Sequence, residues 1–407
     1  MRRIPIWGLS WGAAALIGLI GSLVPAPALA YDITVSAPLT SEAQAASVLT
    51  YWLRDGGRAL EAATPYRPDI AITPRRVLLG GPHPDGRPGS VSPGTAQRVA
   101  PASAKHVGPP RTLGKAFFVG ADGRPHWCSA TAVQSTHRNL VATAGHCVFD
   151  PASGKPHRRW IFIPGHQRGR FPYGIFLGKQ AFTHRDFAKY RDADRDYAFV
   201  AVYDGLAPRG EVDLANRARY AAFTGGIAYR VKTGGTTRYV GVTLTRTGRL
   251  GDLVGGQGIA YNLLPGRSVR LAGHPAPAPG KTRAGGGDQT AGAPALWSGR
   301  TFKAEDAAIK AELLLGVRST APSLVDGALW LTGYRKSTGL GYLNGITIAT
   351  AARDGAGVSP YFDGELFTVY TAARAARAEP ISFGRTAKAG ERGTGTAAGR
   401  GGGSGSR

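Results

Sequence analysis

The pentapeptide TAGHC at residues 143–147 is the most informative segment of this 407-residue chain. It follows the largely apolar run NLVA at residues 139–142, a pattern that predicts a short buried strand ending in a turn of small residues. The turn presents His146 beside Cys147, and Cys128 lies 19 positions before Cys147. These are the only two cysteines in the chain. A histidine fixed at the end of a strand is a candidate general base.

This arrangement resembles the catalytic-histidine segment of the chymotrypsin-fold serine peptidases. In that family two cysteines close the loop behind the histidine, so the resemblance implies a disulfide between Cys128 and Cys147. A loop of this length would stabilise the fold by about 3 kcal/mol, mainly by restricting the unfolded chain. The family uses a serine nucleophile, a histidine base and a carboxylate that orients the histidine. The resemblance therefore assigns the base to His146.

The carboxylate is expected on a later strand, next to an apolar run that anchors it. Asp196 immediately precedes the run YAFVAV at residues 197–202 and follows His146 by 50 positions, a gap that suits the family. We interpret Asp196 as the residue that orients His146. Asp194 and Asp192 lie in the same turn and remain alternatives.

The nucleophile motif of the family, Gly-x-Ser-Gly-Gly-Pro, does not occur in this chain. Residues 339–347 resemble the pocket-wall strand of trypsin-like and glutamyl-endopeptidase-like secreted bacterial peptidases, and Trp330 begins a pair resembling the one that follows the motif. Counting back from Trp330 places the motif at residues 324–329, with Asp326 at the nucleophile position. Leu324 then replaces a glycine whose N–H helps to form the oxyanion hole.

An aspartate at the nucleophile position would hold the imidazole of His146 in its protonated form, which removes the base. The sequence therefore predicts a trypsin-like serine peptidase homologue with impaired catalysis. The alternative is an active serine endopeptidase that uses His146, Asp196 and the displaced Ser323. Ser319 and Ser337 are weaker candidates for that nucleophile. A third possibility is an unrelated β protein with a chance His-Cys turn.

The fold class predicted from residue 112 onwards is all-β, because short apolar runs alternate with Gly- or Asn-containing turns. The resemblance implies two packed antiparallel six-stranded barrels over residues 112–383, with the site in the cleft between them. The second barrel would supply Asp326, and the first barrel would supply His146 and Asp196. The best internal helical pattern is Glu305–Leu315. The predicted strands are residues 115–119, 128–133, 140–144, 160–164, 197–202, 238–244, 268–272 and 341–348.

Residues 1–30 are predicted to be a signal peptide cleaved after Ala30, since a basic start and an apolar core precede an Ala-Leu-Ala site. A membrane anchor is the alternative. The apolar part is short for a stable span, and Pro25 and Pro27 follow it. The sequence therefore predicts a secreted, extracellular protein.

Residues 31–111 are predicted to be a pro-segment or a tether, partly disordered. Within them, Ser41–Ala63 has a helical pattern with Ser41 as a candidate cap. The segment Thr73–Pro110, rich in Pro, Gly, Arg and Ser, predicts no packed element. Residues 384–407 are predicted to form a disordered, basic, Gly-rich tail.

The net charge of +24 favours anionic partners, such as wall polymers, at a basic surface. Basic residues are spread along the chain without dense runs or interleaved aromatics, so nucleic acid is not favoured as a partner. The expected occupant of the inter-barrel cleft is a protein or peptide. The nine histidines show no metal-ligand spacing, and neither a metal nor a cofactor is predicted.

Overall fold

The computed structural model describes residues 32–68, 71–97, 108–167, 169–276, 293–351 and 355–383. The predicted signal peptide (1–30) and the predicted tail (384–407) lie outside the described residues. None of the helices within the described ranges combines the length and the apolar composition that crossing a bilayer requires.

The described chain is mainly β-strand, as the sequence predicts. The strands are β1 Thr34–Pro38, β2 Thr64–Pro65, β3 Arg75–Arg76, β4 Gly89–Val91, β5 Leu113–Val119, β6 Pro125–Val133, β7 Leu140–Thr143, β8 Arg158–Pro164, β9 Phe176–His184, β10 Ala198–Val202, β11 Gly205–Leu214, β12 Gly226–Thr233, β13 Thr236–Gly248, β14 Gly258–Tyr261, β15 Ser268–Gly273, β16 Ala295–Asp306, β17 Ala311–Ser319, β18 Leu329–Arg335, β19 Leu340–Ile346, β20 Ala349–Thr350 and β21 Gly357–Pro360. The helices are α1 Glu42–Ala62, α2 Arg185–Tyr190, α3 Arg217–Ala222, α4 Leu250–Val254 and α5 Gly364–Arg374.

Six strands close an antiparallel barrel in the order β5-β6-β7-β10-β9-β8, because β8 pairs with both β9 and β5. Every residue of β5, β7 and β10 is buried, as expected for strands that read as continuous apolar runs. Strands β7 and β10 are neighbours, with Thr143 opposite Ala198. This pairing brings the turn after β7 next to the turn before β10.

A second sheet of ten strands follows the order β20-β21-β17-β16-β15-β18-β19-β14-β4, with β3 paired to β16. Six of its strands, from β21 to β19 in this order, are successive antiparallel neighbours. Two residues separate β19 from β20, and β20 pairs with β21. This pairing joins the two ends of the six-stranded set, β19 and β21. The fold class predicted from the sequence is confirmed, with further strands added to both halves.

A third, three-stranded sheet with the order β11-β13-β12 was not anticipated as a separate element. The buried side chains of Ile227, Tyr229, Val240 and Val242 belong to the same apolar cluster as those of α1. The Tyr229 hydroxyl accepts a hydrogen bond of 3.1 Å from the backbone N of Asp55, at a break in α1. The third sheet therefore covers the helix of the N-terminal extension.

The helical pattern in the N-terminal extension is confirmed, because α1 begins directly after Ser41, whose backbone N donates to the Gln44 side chain at 3.0 Å. The helical expectation for Glu305–Leu315 is wrong. Asp306 accepts from the backbone N of Ala308, and Lys310 adopts a φ of +53°, so the chain reverses there between β16 and β17.

The rest of the N-terminal extension pairs with both sheets. Strand β1 lies on β9, β2 on β6, β3 on β16 and β4 on β14. The absence of packed elements expected for Thr73–Pro110 is therefore not observed, because β3 and β4 form there. Removal of residues 31–111 stays a prediction.

Candidate functional site

The turn after β7 holds His146 in a single turn of 3-10 helix, Gly145–Cys147. The disulfide implied between Cys128 and Cys147 is present, with the two Cα atoms 6.1 Å apart. It ties the turn to the middle of β6, and both cysteines are fully buried. His146 therefore projects from a turn that is fixed by its strand on one side and by the disulfide on the other.

Asp196 orients His146 through two hydrogen bonds. The Nδ1 atom of His146 lies 2.7 Å from Asp196 Oδ2, and the backbone N of His146 donates to Asp196 Oδ1 at 2.8 Å. A bidentate contact of this kind fixes both the tautomer and the position of the ring, so that Nε2 faces the cleft. The structure thus brings together the two residues that the resemblance paired.

The alternatives to Asp196 have other partners. The Asp194 carboxylate accepts from the backbone N atoms of Glu312 and Leu313 at 2.9 and 2.8 Å, which secures β17. Asp192 accepts from the backbone N of Asp194 at 2.9 Å and caps the turn. Both carboxylates therefore serve local structure.

Asp326 lies on the opposite side of the cleft with its carboxylate directed at His146. Its Oδ2 is 3.4 Å from His146 Nε2, and both side chains are almost completely buried. The Asp326 carbonyl accepts from Ser129 N at 2.8 Å, and Gly327 N donates to Thr347 O at 2.7 Å. These backbone bonds fix the loop that presents the carboxylate.

The three ionisable groups determine the protonation state of the imidazole. Burial alone lowers the pKa of His146, but the hydrogen bond to Asp196 and the attraction to Asp196 and Asp326 outweigh it and raise that pKa to about 10. Burial raises the pKa of Asp326, and the charge of His146 opposes that effect. We assign an imidazolium to His146 at neutral pH, so its Nε2 has no lone pair with which to accept a proton.

The oxyanion-hole position also departs from what acyl transfer needs. Leu324, which stands where the resemblance expects a glycine, does not adopt a positive φ, whereas Gly327 does, at +85°. Residues 323–325 instead pair with residues 274–276, with Val325 N donating to His274 O at 2.9 Å. This geometry does not reproduce the glycine conformation that the resemblance expects at the first motif position.

The serines considered as alternative nucleophiles have partners away from His146. Ser323 Oγ accepts from Arg67 Nη2 at 2.9 Å. Ser319 Oγ accepts from the backbone N of Ala321, and Ser337 lies exposed in the turn between β18 and β19. The structure brings Asp326, and not Ser323, to the imidazole.

Two residues of the N-terminal extension that the sequence analysis missed, Tyr66 and Arg67, border the site. The Tyr66 ring centroid is 6.0 Å from that of His146, and Arg67 contacts the loop before Asp326. Their sequence segment carries no local motif, and only the parallel pairing of β2 with β6 places them here.

His157, also missed, supports the histidine turn from behind. Its Nε2 lies 2.9 Å from the His146 carbonyl oxygen, and burial lowers its pKa to about 4, so the ring is a neutral donor to that oxygen. Possible ligand atoms of Cys128, His146 and Cys147 lie within 4.8 Å of one another. Since both sulfurs are joined in the disulfide, neither is available as a thiolate for a metal.

Comparison with known proteins yields structural similarities alone. No protein-family model and no curated protein matches the sequence. The chain is similar to the protease Anisep from Arthrobacter nicotinovorans, with 22% identity and a TM-score of 0.46 over 66% of this chain and 97% of that one. It is also similar to the thermostable serine protease AL20 from an extremophilic microorganism, with 21% identity and a TM-score of 0.45 over 65% and 98%. A Glu endopeptidase matches with 14% identity and a TM-score of 0.42 over 73% and 99%.

The functional conclusion follows from the strand pairing and the geometry of the cleft.

Proposed function

We propose that the protein is a secreted trypsin-like serine peptidase homologue that does not catalyse acyl transfer and binds a protein or peptide in its cleft. The observation that carries the proposal is the 3.4 Å approach of Asp326 Oδ2 to His146 Nε2 in a buried site. A nucleophilic serine requires a neutral imidazole that accepts its proton. Here a carboxylate occupies the position of the hydroxyl and stabilises the protonated ring.

The retained parts support a binding role for the cleft. His146, Asp196 and the disulfide keep the arrangement that the resemblance implies, although the atom that would attack a carbonyl is missing. The alternative, an active endopeptidase using Ser323, has no support in the contacts, because Ser323 Oγ binds Arg67. The basic surface gives the protein a second means of association, with anionic wall polymers, through its net charge of +24.

The test is labelling of the purified protein with a fluorophosphonate probe, which reacts with activated serines. The parent is expected to remain unlabelled. The Asp326→Ser variant restores a hydroxyl beside His146 and removes the carboxylate that raises the pKa of the base, so labelling of this variant tests whether the nucleophile is all that the cleft lacks. Asp326→Ala is the matched control, since it removes the same carboxylate without supplying a hydroxyl.

Labelling of the parent that disappears in His146→Ala would contradict the proposal, because it would reveal an activated serine in the native chain. If Asp326→Ser gains labelling and His146→Ala in that background loses it, the cleft is competent apart from its nucleophile. A silent Asp326→Ser variant would mean that the loop around Leu324 has also lost the oxyanion hole.

A further inference from the structure

The N-terminal extension places a short strand beside the site, on the part of β6 that precedes its pairing with β7. Strand β2 pairs in parallel with β6, with Thr64 opposite His126 and Pro65 opposite Trp127. The Tyr66 backbone N donates to Trp127 O at 2.9 Å, and Thr64 Oγ1 lies 3.0 Å from His126 Nδ1. The edge of β6 therefore holds an extended segment by main-chain hydrogen bonding, the way a sheet edge binds a peptide.

The Tyr66 side chain fills a slot built from aromatic and imidazole rings. Its ring centroid lies 5.3 Å from Phe118, 5.2 Å from His126, 5.5 Å from His157 and 6.0 Å from His146. Rings at these distances meet edge to face or tilted, the arrangements that aromatic pairs prefer. The slot lies over the histidine turn, and His146 is completely buried.

The next residue, Arg67, reaches across the cleft to the second half of the molecule. Its Nη2 donates to Ser323 Oγ and to Leu324 O, both at 2.9 Å. The positive charge of Arg67 also acts on the buried carboxylate of Asp326. Four consecutive residues thus span the site from the edge of β6 to the loop that carries Asp326.

The carboxylates of the site favour a positively charged neighbour such as an arginine. Two carboxylates, those of Asp196 and Asp326, face the one imidazole of His146 in a buried cluster. Buried charge of this kind is costly unless a counter-charge lies nearby. Arg67 supplies that counter-charge from the N-terminal extension.

We propose that the cleft is a groove for an extended peptide carrying an aromatic residue followed by arginine, and that Thr64–Arg67 occupies it as an internal ligand. This inference rests on the non-catalytic function proposed above and names the chemistry of the partner. The three parts of the recognition are main-chain pairing with β6, the ring slot over His146, and the arginine site at the Leu324 carbonyl. A peptide supplied by another molecule would have to displace residues 64–67.

The first measurement is hydrogen–deuterium exchange of the Tyr66 amide in the parent. Exchange at least about tenfold slower than for an exposed amide is expected, because this N–H is bonded to Trp127 O. The second measurement is fluorescence anisotropy with a fluorescein-labelled peptide of sequence TPYRP, which copies residues 64–68. A peptide in which alanine replaces the tyrosine and the arginine is the control ligand.

The protein variants are the full-length Tyr66→Ala/Arg67→Ala double variant and, as a matched control, Arg75→Ala. Arg75 is an arginine of the same extension that pairs with Glu305 in the second sheet, away from the cleft. The double variant is expected to bind TPYRP at least about tenfold more tightly than the parent or Arg75→Ala, because its internal segment has lost both side-chain anchors and competes only through its main chain. The alanine-substituted peptide is expected to bind at least about tenfold more weakly than TPYRP, since it lacks both anchors.

Two binding results would overturn the proposed groove. One is equal affinity of the parent and a folded double variant for TPYRP. The other is equal affinity of a folded double variant for the two peptides. Rapid exchange of the Tyr66 amide in the folded parent would overturn it as well, and this result does not depend on the folding of any variant. The two proposals fail separately. Fluorophosphonate labelling of the parent would contradict the non-catalytic function alone, whereas absent peptide binding with a silent probe would contradict the groove alone.

Discussion

The two sides of the cleft match the pattern that the resemblance implies to different degrees. On the first barrel, His146 and Asp196 keep a 2.7 Å contact, because paired strands fix the turns that carry them. On the other side, Asp326 lies on a loop that is held by its backbone, through Ser129 N and the carbonyl of Thr347. A loop fixed by backbone bonds keeps its place when a side chain changes, so the residue at position 326 can differ from the pattern while the backbone around it stays the same.

The largest expected effect comes from Gly327, since this residue decides whether the loop on the second side can form. A Cβ atom at Gly327 would lie 1.8 Å from Ser129 O, and its φ of +85° strains any other residue. Gly327→Ala is expected to destabilise the protein by about 3–5 kcal/mol through steric overlap and strain combined. Urea unfolding of the variant and the parent measures the difference.

Gly266 is the matched control, because it has a similar φ of +93° with no heavy atom within 4 Å of its added Cβ. Gly266→Ala is expected to lose only about 1–2 kcal/mol from backbone strain. Equal losses of stability in the two variants would mean that the contact with Ser129 does not hold the loop. The loop that carries Asp326 would then tolerate a Cβ atom as well as a surface turn does.

The next effect concerns the first side, where the disulfide ties β6 to the histidine turn. Replacing both Cys128 and Cys147 by alanine is expected to lower the free energy of unfolding by about 3 kcal/mol, because the unfolded chain regains the freedom of a 19-residue loop. Chemical denaturation with and without a reductant gives the same comparison in the parent. A reductant that lowers the stability of the alanine variant as well would show that the loss does not arise from this bond.

The smallest expected effect is a pH dependence of stability that arises from the protonation of His146, which faces carboxylates on both sides of the cleft. Burial lowers the pKa of this histidine, but Asp196 and Asp326 raise it to about 10 from an ordinary 6.5. A raised pKa gives stability that is fully present below pH 6.5 and lost as the pH rises towards 10. From pH 6.5 to about pH 8 we expect the parent to lose roughly 2 kcal/mol from this group.

Asp326→Asn keeps the shape of the side chain and removes its charge, so the pKa of His146 and the pH-dependent loss should both decrease. Urea unfolding at a series of pH values, together with NMR titration of the imidazole, measures both quantities. An unchanged imidazole titration in Asp326→Asn would mean that the carboxylate does not act on His146 and that the two sides are electrostatically independent.

The sequence predicted the strands and the first side of the site because local patterns encode them. Apolar runs gave the strands, and the placement of His146 and Asp196 beside two of those runs anticipated their meeting. The register counted back from Trp330 placed Asp326 where the structure has its carboxylate beside the imidazole. The expected helix at Glu305–Leu315 was wrong because a single left-handed residue, Lys310, reverses the chain there.

The contribution of the N-terminal extension could not be predicted from the sequence. Tyr66 and Arg67 reach the site only because β2 pairs with a strand that lies about 60 residues further along the chain, and short strands of two residues carry no periodicity. The helix α5 was missed as well, although Asp363 caps it by accepting from Leu366 N at 2.9 Å. Pairing between strands that are distant in the sequence, and short amphipathic elements, cannot be predicted from composition and residue spacing.

The anchoring of the N-terminal extension on both halves of the molecule has a consequence for competition at the cleft. Residues 64–67 lie between α1, which packs in an apolar cluster with the first barrel and the third sheet, and β3, which is paired in the second sheet. A ligand tethered at both ends acts at an effective concentration in the millimolar range or above. A free peptide of equal intrinsic affinity would compete only near that concentration, so an external partner must bind more tightly than the native segment or arrive where that segment has been cut away.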